Sequence, residues 1–164
     1  MIKRLSSVVA VLIILLSFSL FCSCENKEKT DNPTNVTVDE FVEKLKSYDF
    51  QHTEDLEYDL NYENSRLKIA FQSRNNYISY FSLYFSKADN YTLEVISDLL
   101  LELTGDEAVA DITKNEITTA ENNKEQRLQD FSTDKYYLMY LPEKTIDNHT
   151  YKKQFTFLVK LNQK

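Results

Sequence analysis

The side chains that could do chemistry in this 164-residue chain are two histidines, two cysteines and 26 carboxylates. His52 and His149 stand far apart in the sequence, in predicted loops. A zinc site favours histidines one helical turn apart or cysteine partners at tight spacing. We therefore interpret both histidines as surface residues and predict no metal site.

The carboxylates are too numerous to single out an acid–base pair. Glu54–Asp55 and Asp106–Glu107 are interpreted as solvated or helix-capping groups; a glycosidase pair, which is defined by distance in space, stays open. The chain has one glycine, so it contains no serine-hydrolase elbow, phosphate-binding loop or dinucleotide fingerprint. The sequence therefore predicts a protein that is not an enzyme and holds no cofactor.

The acidic balance of the chain argues against nucleic acid as a partner. The formal net charge is −7, and no stripe of lysines and arginines is present for phosphate contacts. Without the early pair Lys3 and Arg4, 17 of the 19 basic residues remain, against 26 acidic residues. Anionic lipid headgroups would repel such a surface, so it would need a covalent tether to remain at a membrane.

The first two dozen residues have the composition of an export signal. Met1 to Arg4 is positively charged, residues 5–21 are apolar, and the charged residues 25–29 follow abruptly. A positive start, an apolar stretch and small residues at a cleavage site are typical of secretory signal peptides.

The boundary Leu20-Phe21-Cys22-Ser23-Cys24 resembles the lipobox of bacterial lipoproteins. The resemblance implies that residues 1–23 are a signal peptide and that Cys24 is lipidated. The protein would then be anchored in the membrane through this lipid, on its extracytoplasmic face. Two alternatives stay open: an uncleaved anchor from Leu5 to Cys22, just long enough to span a bilayer, and a plain secretory signal.

Beyond the leader, composition predicts a tether followed by one domain. Residues 24–36 are polar, contain Pro33 and show no apolar period, which favours a flexible tether. Residues 37–164 are predicted to form a single domain, since no repeat or second linker is visible. After cleavage at Cys24 no other cysteine remains for a disulfide, so the core alone must hold the fold.

Periodicity predicts the element order α-β-β-β-α-α-β-β. Thr37 and Glu40 fit a capping box at the start of the first helix, and Gly105 stands where a later helix would end in a left-handed residue. The last helix is expected to turn Ile112 inward. Alternating residues predict strands over 54–62, 66–73, 77–86, 136–141 and 151–161. Such an order indicates an α+β fold, in which helices pack on one face of an antiparallel sheet of about five strands.

The parity of the apolar residues also predicts register. A two-residue turn would pair Leu60 with Leu67, and a three-residue loop would pair Ile69 with Phe81. Ile78 is expected on the outward face of the sheet.

That outward face gathers residues suited to binding. Tyr80, Ser82 and Tyr84 alternate along one strand. Their expected neighbours are Arg66, Lys68 and Ala70, with Tyr137 or Tyr140 from the last hairpin. Tyrosine offers a large rigid contact with a polar tip, so this face is a possible binding surface. The alternative is that these tyrosines only support strand pairing.

Three functional hypotheses follow. The first is a membrane-anchored, non-catalytic binding module whose partner is a protein or another component of the cell envelope. The second is a protective lipoprotein that sequesters a cationic peptide or inhibits a hydrolase, since an acidic surface attracts basic partners. The third is an envelope hydrolase whose site carries no recognised motif. The sequence leaves the oligomeric state open.

Overall fold

The computed structural model describes residues 33–56, 59–146 and 149–160, which contain three helices and nine strands. Their order is α1 (Val38–Lys46), β1 (Gln51–His52), β2 (Leu60–Glu63), β3 (Leu67–Arg74), β4 (Tyr77–Phe85), α2 (Asn90–Thr104), α3 (Glu107–Asn122), β5 (Gln129–Asp130), β6 (Tyr136–Leu141), β7 (Lys144–Ile146), β8 (His149–Tyr151) and β9 (Lys153–Val159). The α+β class is confirmed.

Seven of these strands form one antiparallel sheet in the order β1-β2-β3-β4-β9-β6-β5. The predicted sheet of about five strands was therefore too small, and the predicted element order omitted β1, β5, β7 and β8. Each of these four strands has only two or three residues. Segments that short show no readable alternation, because period-two patterns need about four residues.

The strands β7 and β8 form a separate two-stranded ladder that extends the β6–β9 hairpin. Leu141 lies opposite Gln154, and Lys144 lies opposite Tyr151, so the register is the same on both sides of the break. The break falls at Pro142, whose missing N–H removes a ladder donor.

One hydrophobic core lies between the sheet and the helices. Phe81 of β4 is fully buried, and its ring centroid lies 5.5 Å from that of Phe157 and 6.1 Å from that of Phe41 on α1. Burial of each such side chain stabilises the fold by roughly 1.5–3 kcal/mol. All three helices contribute to this cluster, for example through Leu45, Leu99 and Ile117, so they pack on the same face.

The start of α1 has the predicted capping box. The Glu40 amide donates to the Thr37 hydroxyl at 3.3 Å, and the Thr37 amide donates to the Glu40 carboxylate at 2.8 Å. The backbone hydrogen bond from Thr37 lowers the pKa of Glu40. Residues before this helix already pack against the sheet. Thr34 is buried, and its hydroxyl donates to the Ile78 carbonyl at 2.8 Å. Residues 34–36 of the predicted tether thus lie against β4.

The helix α2 ends as predicted, and α3 differs in one detail. Gly105 has φ of 63° beyond α2, in the left-handed region that glycine enters without steric cost. On α3, Ile112 is 44% exposed, contrary to its predicted inward position. Thr113 is buried in its place, and its hydroxyl donates to the Val109 carbonyl at 2.8 Å. That local bond lets a threonine face the core without an unpaired group.

The registers beside β3 also differ from those predicted. Leu60 lies opposite Phe71, not Leu67, and β2 begins only at Leu60. The cause is a wider loop, in which the Asn64 side chain accepts hydrogen bonds from the amides of Arg66 and Leu67 at 2.9 and 2.8 Å.

On the other side of β3, Asn75 and Asn76 form a two-residue turn in which both φ angles are positive. Ile69 therefore pairs with Leu83 instead of Phe81. The side chains still point to the predicted side of the sheet, but the register is shifted by two residues. Gln72 opposes Tyr80 while Ser73 opposes Ile78, so β4 holds one extra residue as a β-bulge. The bulge turns Ile78 into the core, where it is fully buried, and its predicted outward position is wrong.

Two tyrosine–carboxylate contacts fasten the helices. Tyr140 on β6 is fully buried, and its hydroxyl donates to Glu121 of α3, which also pairs with Lys153 of β9. Tyr48 in the loop after α1 donates to Asp98 of α2. Burial, reinforced by these hydrogen bonds, raises the pKa of both tyrosines well above the ordinary value.

No helix in the described ranges is long and apolar enough to cross a membrane. The predicted leader, Cys24 and the tether as far as residue 32 lie outside the described residues.

The buried tyrosines predict a loss of stability in alkali. The folded protein keeps the Tyr140 proton at a pH where the unfolded chain releases it, so the free energy of unfolding falls as pH rises above about 10. Each such tyrosine contributes at most about 1.4 kcal/mol per pH unit in that window. Urea unfolding at several pH values between about 8 and 11 measures how steeply the free energy of unfolding falls with pH. Tyr140→Phe should make this fall less steep, and the control Tyr137→Phe should leave it unchanged. An unchanged slope in Tyr140→Phe would contradict this origin.

Candidate functional site

The outward side chains of the sheet lie in three rows that cross β3, β4, β9 and β6. The first row is Gln72, Tyr80, Leu158 and Tyr137; the second is Ala70, Ser82, Thr156 and Met139; the third is Lys68, Tyr84, Gln154 and Leu141. We call these residues the outer face. They share no member with the core cluster, to which all three helices contribute. The outer face is therefore the side of the sheet that lies away from the helices.

The Ser82 hydroxyl is the centre of a hydrogen-bond network on the outer face. Ser82 is fully buried, and its oxygen lies 2.6 Å from the Tyr80 hydroxyl and 2.9 Å from the Thr156 hydroxyl. The Gln154 amide donates to the same oxygen at 2.9 Å. A hydroxyl offers one donor and two acceptor positions, so these three partners saturate Ser82.

This network fixes the directions of the two tyrosines. Because Tyr80 bonds to the residue two positions along its own strand, its side chain must lie along the strand over Ser82. Tyr84 accepts a longer hydrogen bond from the Gln154 amide at 3.4 Å. Partial burial raises the pKa of Tyr84, and the neighbouring Tyr80 adds to the rise. The Tyr84 phenol therefore stays neutral at physiological pH.

Formal charges lie at the margins of the outer face. Lys68 stands opposite Tyr84 at one end of the third row. Asp59 accepts a hydrogen bond from Gln72 at 2.7 Å beside the first row, and the Lys160 ammonium lies 4.5 Å from the centroid of the Tyr137 ring. The centre, defined as Tyr80, Ser82, Tyr84, Gln154 and Thr156, carries none.

The β6 end of the outer face is more apolar. Leu158 and Tyr137 oppose each other and are 37% and 43% exposed. Met139 and Leu141 lie beside them and are half-buried. Side chains on this face thus combine hydroxyl and amide groups at the centre with aliphatic and aromatic area on one side.

The structure brings most of the predicted binding residues to this face. Tyr80, Tyr84 and Lys68 are on it, together with Ser82, Ala70 and Tyr137. Tyr140 points into the core instead, as its burial shows. Sequence reasoning missed Gln154 and Thr156, although both alternate with the inward Phe155 and Phe157 on β9.

Arg66 does not lie on the outer face, contrary to its predicted position. It belongs to the loop before β3, where its guanidinium lies 5.0 Å from the centroid of the Tyr91 ring and 3.7 Å from the Asp89 carboxylate. A cavity of about 330 Å³ opens beside it, lined also by Lys87 and Thr92. Asp89 caps α2 by accepting the Thr92 amide at 3.0 Å, which lowers the pKa of Asp89. This cap accounts for Asp89, and the ion pair with Asp89 together with the contact to Tyr91 accounts for Arg66.

The other groups with chemical potential are dispersed. His52 is exposed at the sheet edge, where its ring lies 3.0 Å from Asp55, and the side chain of His149 lies outside the described residues. Asp106 caps α3 through the Ala108 amide, as predicted for a capping carboxylate. Among the described residues, no three His, Cys, Asp or Glu side chains converge as a metal site would need.

Comparison with protein-family models, curated proteins and solved structures gives no match to this chain.

The network predicts that Ser82 stabilises the fold more than its neighbours do. Ser82→Ala should lower the free energy of unfolding by about 1–2 kcal/mol, since three polar groups lose a shared partner. Ser79→Ala is the matched control on the same strand, because Ser79 makes only one hydrogen bond of 3.3 Å to the Gln72 carbonyl. Equal losses in the two variants, measured by urea unfolding, would contradict the central role of Ser82.

Proposed function

We propose that this protein is a lipoprotein of the cell envelope, anchored through Cys24, whose domain is a non-catalytic binding module. The outer face is its contact surface. The observation that carries this proposal is the contrast between the two sides of the sheet: one is packed under three helices, and the other presents partly exposed tyrosines held by a saturated network.

The arrangement supports binding because its contact groups are pre-ordered. Association has to offset the loss of side-chain freedom, about 0.5–1.5 kcal/mol for each flexible side chain that is fixed. Tyr80 is already fixed by Ser82, and Thr156 and Gln154 share the same oxygen. When a partner covers the outer face, little further side-chain freedom is therefore lost at its centre.

A second candidate function rests on the charge of the helices. They carry ten acidic and three basic residues, whereas the seven strands of the main sheet carry two acidic and three basic ones. Such a helical surface would attract a cationic peptide or a basic hydrolase, as a protective lipoprotein requires. Binding through the helices would weaken steeply with salt.

A pair of photo-crosslinking residues separates these two functions in producing cells. Leu158 on the outer face and Ile112 on α3 are both exposed aliphatic side chains, 37% and 44% respectively. A diazirine amino acid at position 158 should give an adduct of higher mass, and one at position 112 should not. The same purified chains should begin at Cys24 and carry acyl groups by mass spectrometry. Cys24→Ser should remove the acyl groups, because it removes the thiol that would carry the lipid.

An adduct from position 112 alone would transfer the contact surface to the helices and favour the protective function. No adduct from either position would contradict both candidates. A mature chain that retains Met1 would contradict the lipid anchor.

A further inference from the structure

We infer that the ligand of the outer face is a neutral glycan of the producing cell's own envelope. This inference rests on the proposed function, since it assigns a chemical class to the ligand of the same surface.

The hydrogen-bonding groups at the centre of the outer face match those of a sugar. Tyr80, Tyr84 and Thr156 present hydroxyls, and Gln154 presents an amide, so each residue can both donate and accept. Sugar hydroxyls have the same dual character. The core of a protein–protein contact is instead mainly apolar, with polar groups at the rim. Here the polar groups occupy the middle of the face.

The charge distribution selects a neutral ligand. The chain as a whole has a net charge of −7, yet the centre of the outer face holds no ionised side chain. Lys68 and Asp59 stand at its margins. A charged ligand placed over the centre would lose water without gaining an opposite charge, which is costly. An uncharged sugar avoids that cost.

The tyrosines provide apolar contact area of a suitable extent. Tyr80 and Tyr84 stand four residues apart on β4, a separation of about 13 Å along the strand. Tyr137 extends the first row across two further strand spacings, about 9–10 Å. These distances exceed a single sugar ring, so the surface fits a segment of several sugars whose C–H faces lie against the aromatic rings.

The test uses the full-length chain in detergent and glycans released from the envelope of producing cells. Protease treatment removes protein, and anion exchange divides the glycans into a neutral and an acidic fraction. Tyrosine fluorescence reports binding directly, because the chain contains no tryptophan.

We expect the neutral fraction to bind, and the affinity to be unchanged between about 0.1 M and about 1 M salt. Tyr80→Ala and Tyr84→Ala should each weaken binding about tenfold or more. Tyr80→Phe keeps the ring but loses the hydroxyl that bonds to Ser82, so it should weaken binding less than Tyr80→Ala does. Tyr91→Ala is the control: Tyr91 is a partly exposed tyrosine on α2, outside the outer face. Leu158→Asp places a charge at an exposed position, so it should reduce binding even if an alanine variant fails to fold.

Binding by the acidic fraction alone would overturn the inference, as would neutral binding that survives Tyr80→Ala, Tyr84→Ala and Leu158→Asp. If no glycan binds while position 158 crosslinks to a protein, the glycan inference is wrong and the proposed function stands. If no glycan binds and position 158 gives no adduct, both are wrong.

Discussion

The pairing of β4 with β9 is the interaction on which the rest of the fold depends. Six residue pairs join the two strands, and the paired residues lie 68 to 78 positions apart in the chain. On the inner side this pairing brings Phe81 against Phe155 and Phe157, at 5.7 and 5.5 Å between ring centroids. On the outer side it brings Ser82 to Thr156. The core and the proposed binding surface are thus the two faces of one ladder.

The sequence predicted the elements whose signals are local. The capping box of α1, the left-handed Gly105 and the bounds of β6 all depend on neighbouring residues and were confirmed. The predicted outward position of Ile78 was wrong, because the residue types around it do not reveal the β-bulge that turns it into the core. The four short strands were missed because too few residues in each could alternate.

The candidate site was only partly predictable for the same reason. Tyr80, Ser82 and Tyr84 lie on one strand, so their shared face follows from period two alone. Gln154 and Thr156 join them only through the long-range β4–β9 pairing, which one sequence does not reveal. The predicted position of Arg66 was wrong because Arg66 belongs to the loop that the Asn64 side chain closes, just before β3 begins. The in–out alternation of the strand therefore does not extend to it.

Covalent labelling of tyrosines by hydroxyl radicals, in intact producing cells and on the purified full-length chain, tests the central claim most directly. The account predicts that Tyr80, Tyr84 and Tyr137 are protected in cells, while Tyr91 on α2 is labelled equally in both samples. Equal labelling of the three outer-face tyrosines in cells and in the purified chain would show that nothing covers this surface, and would contradict the account.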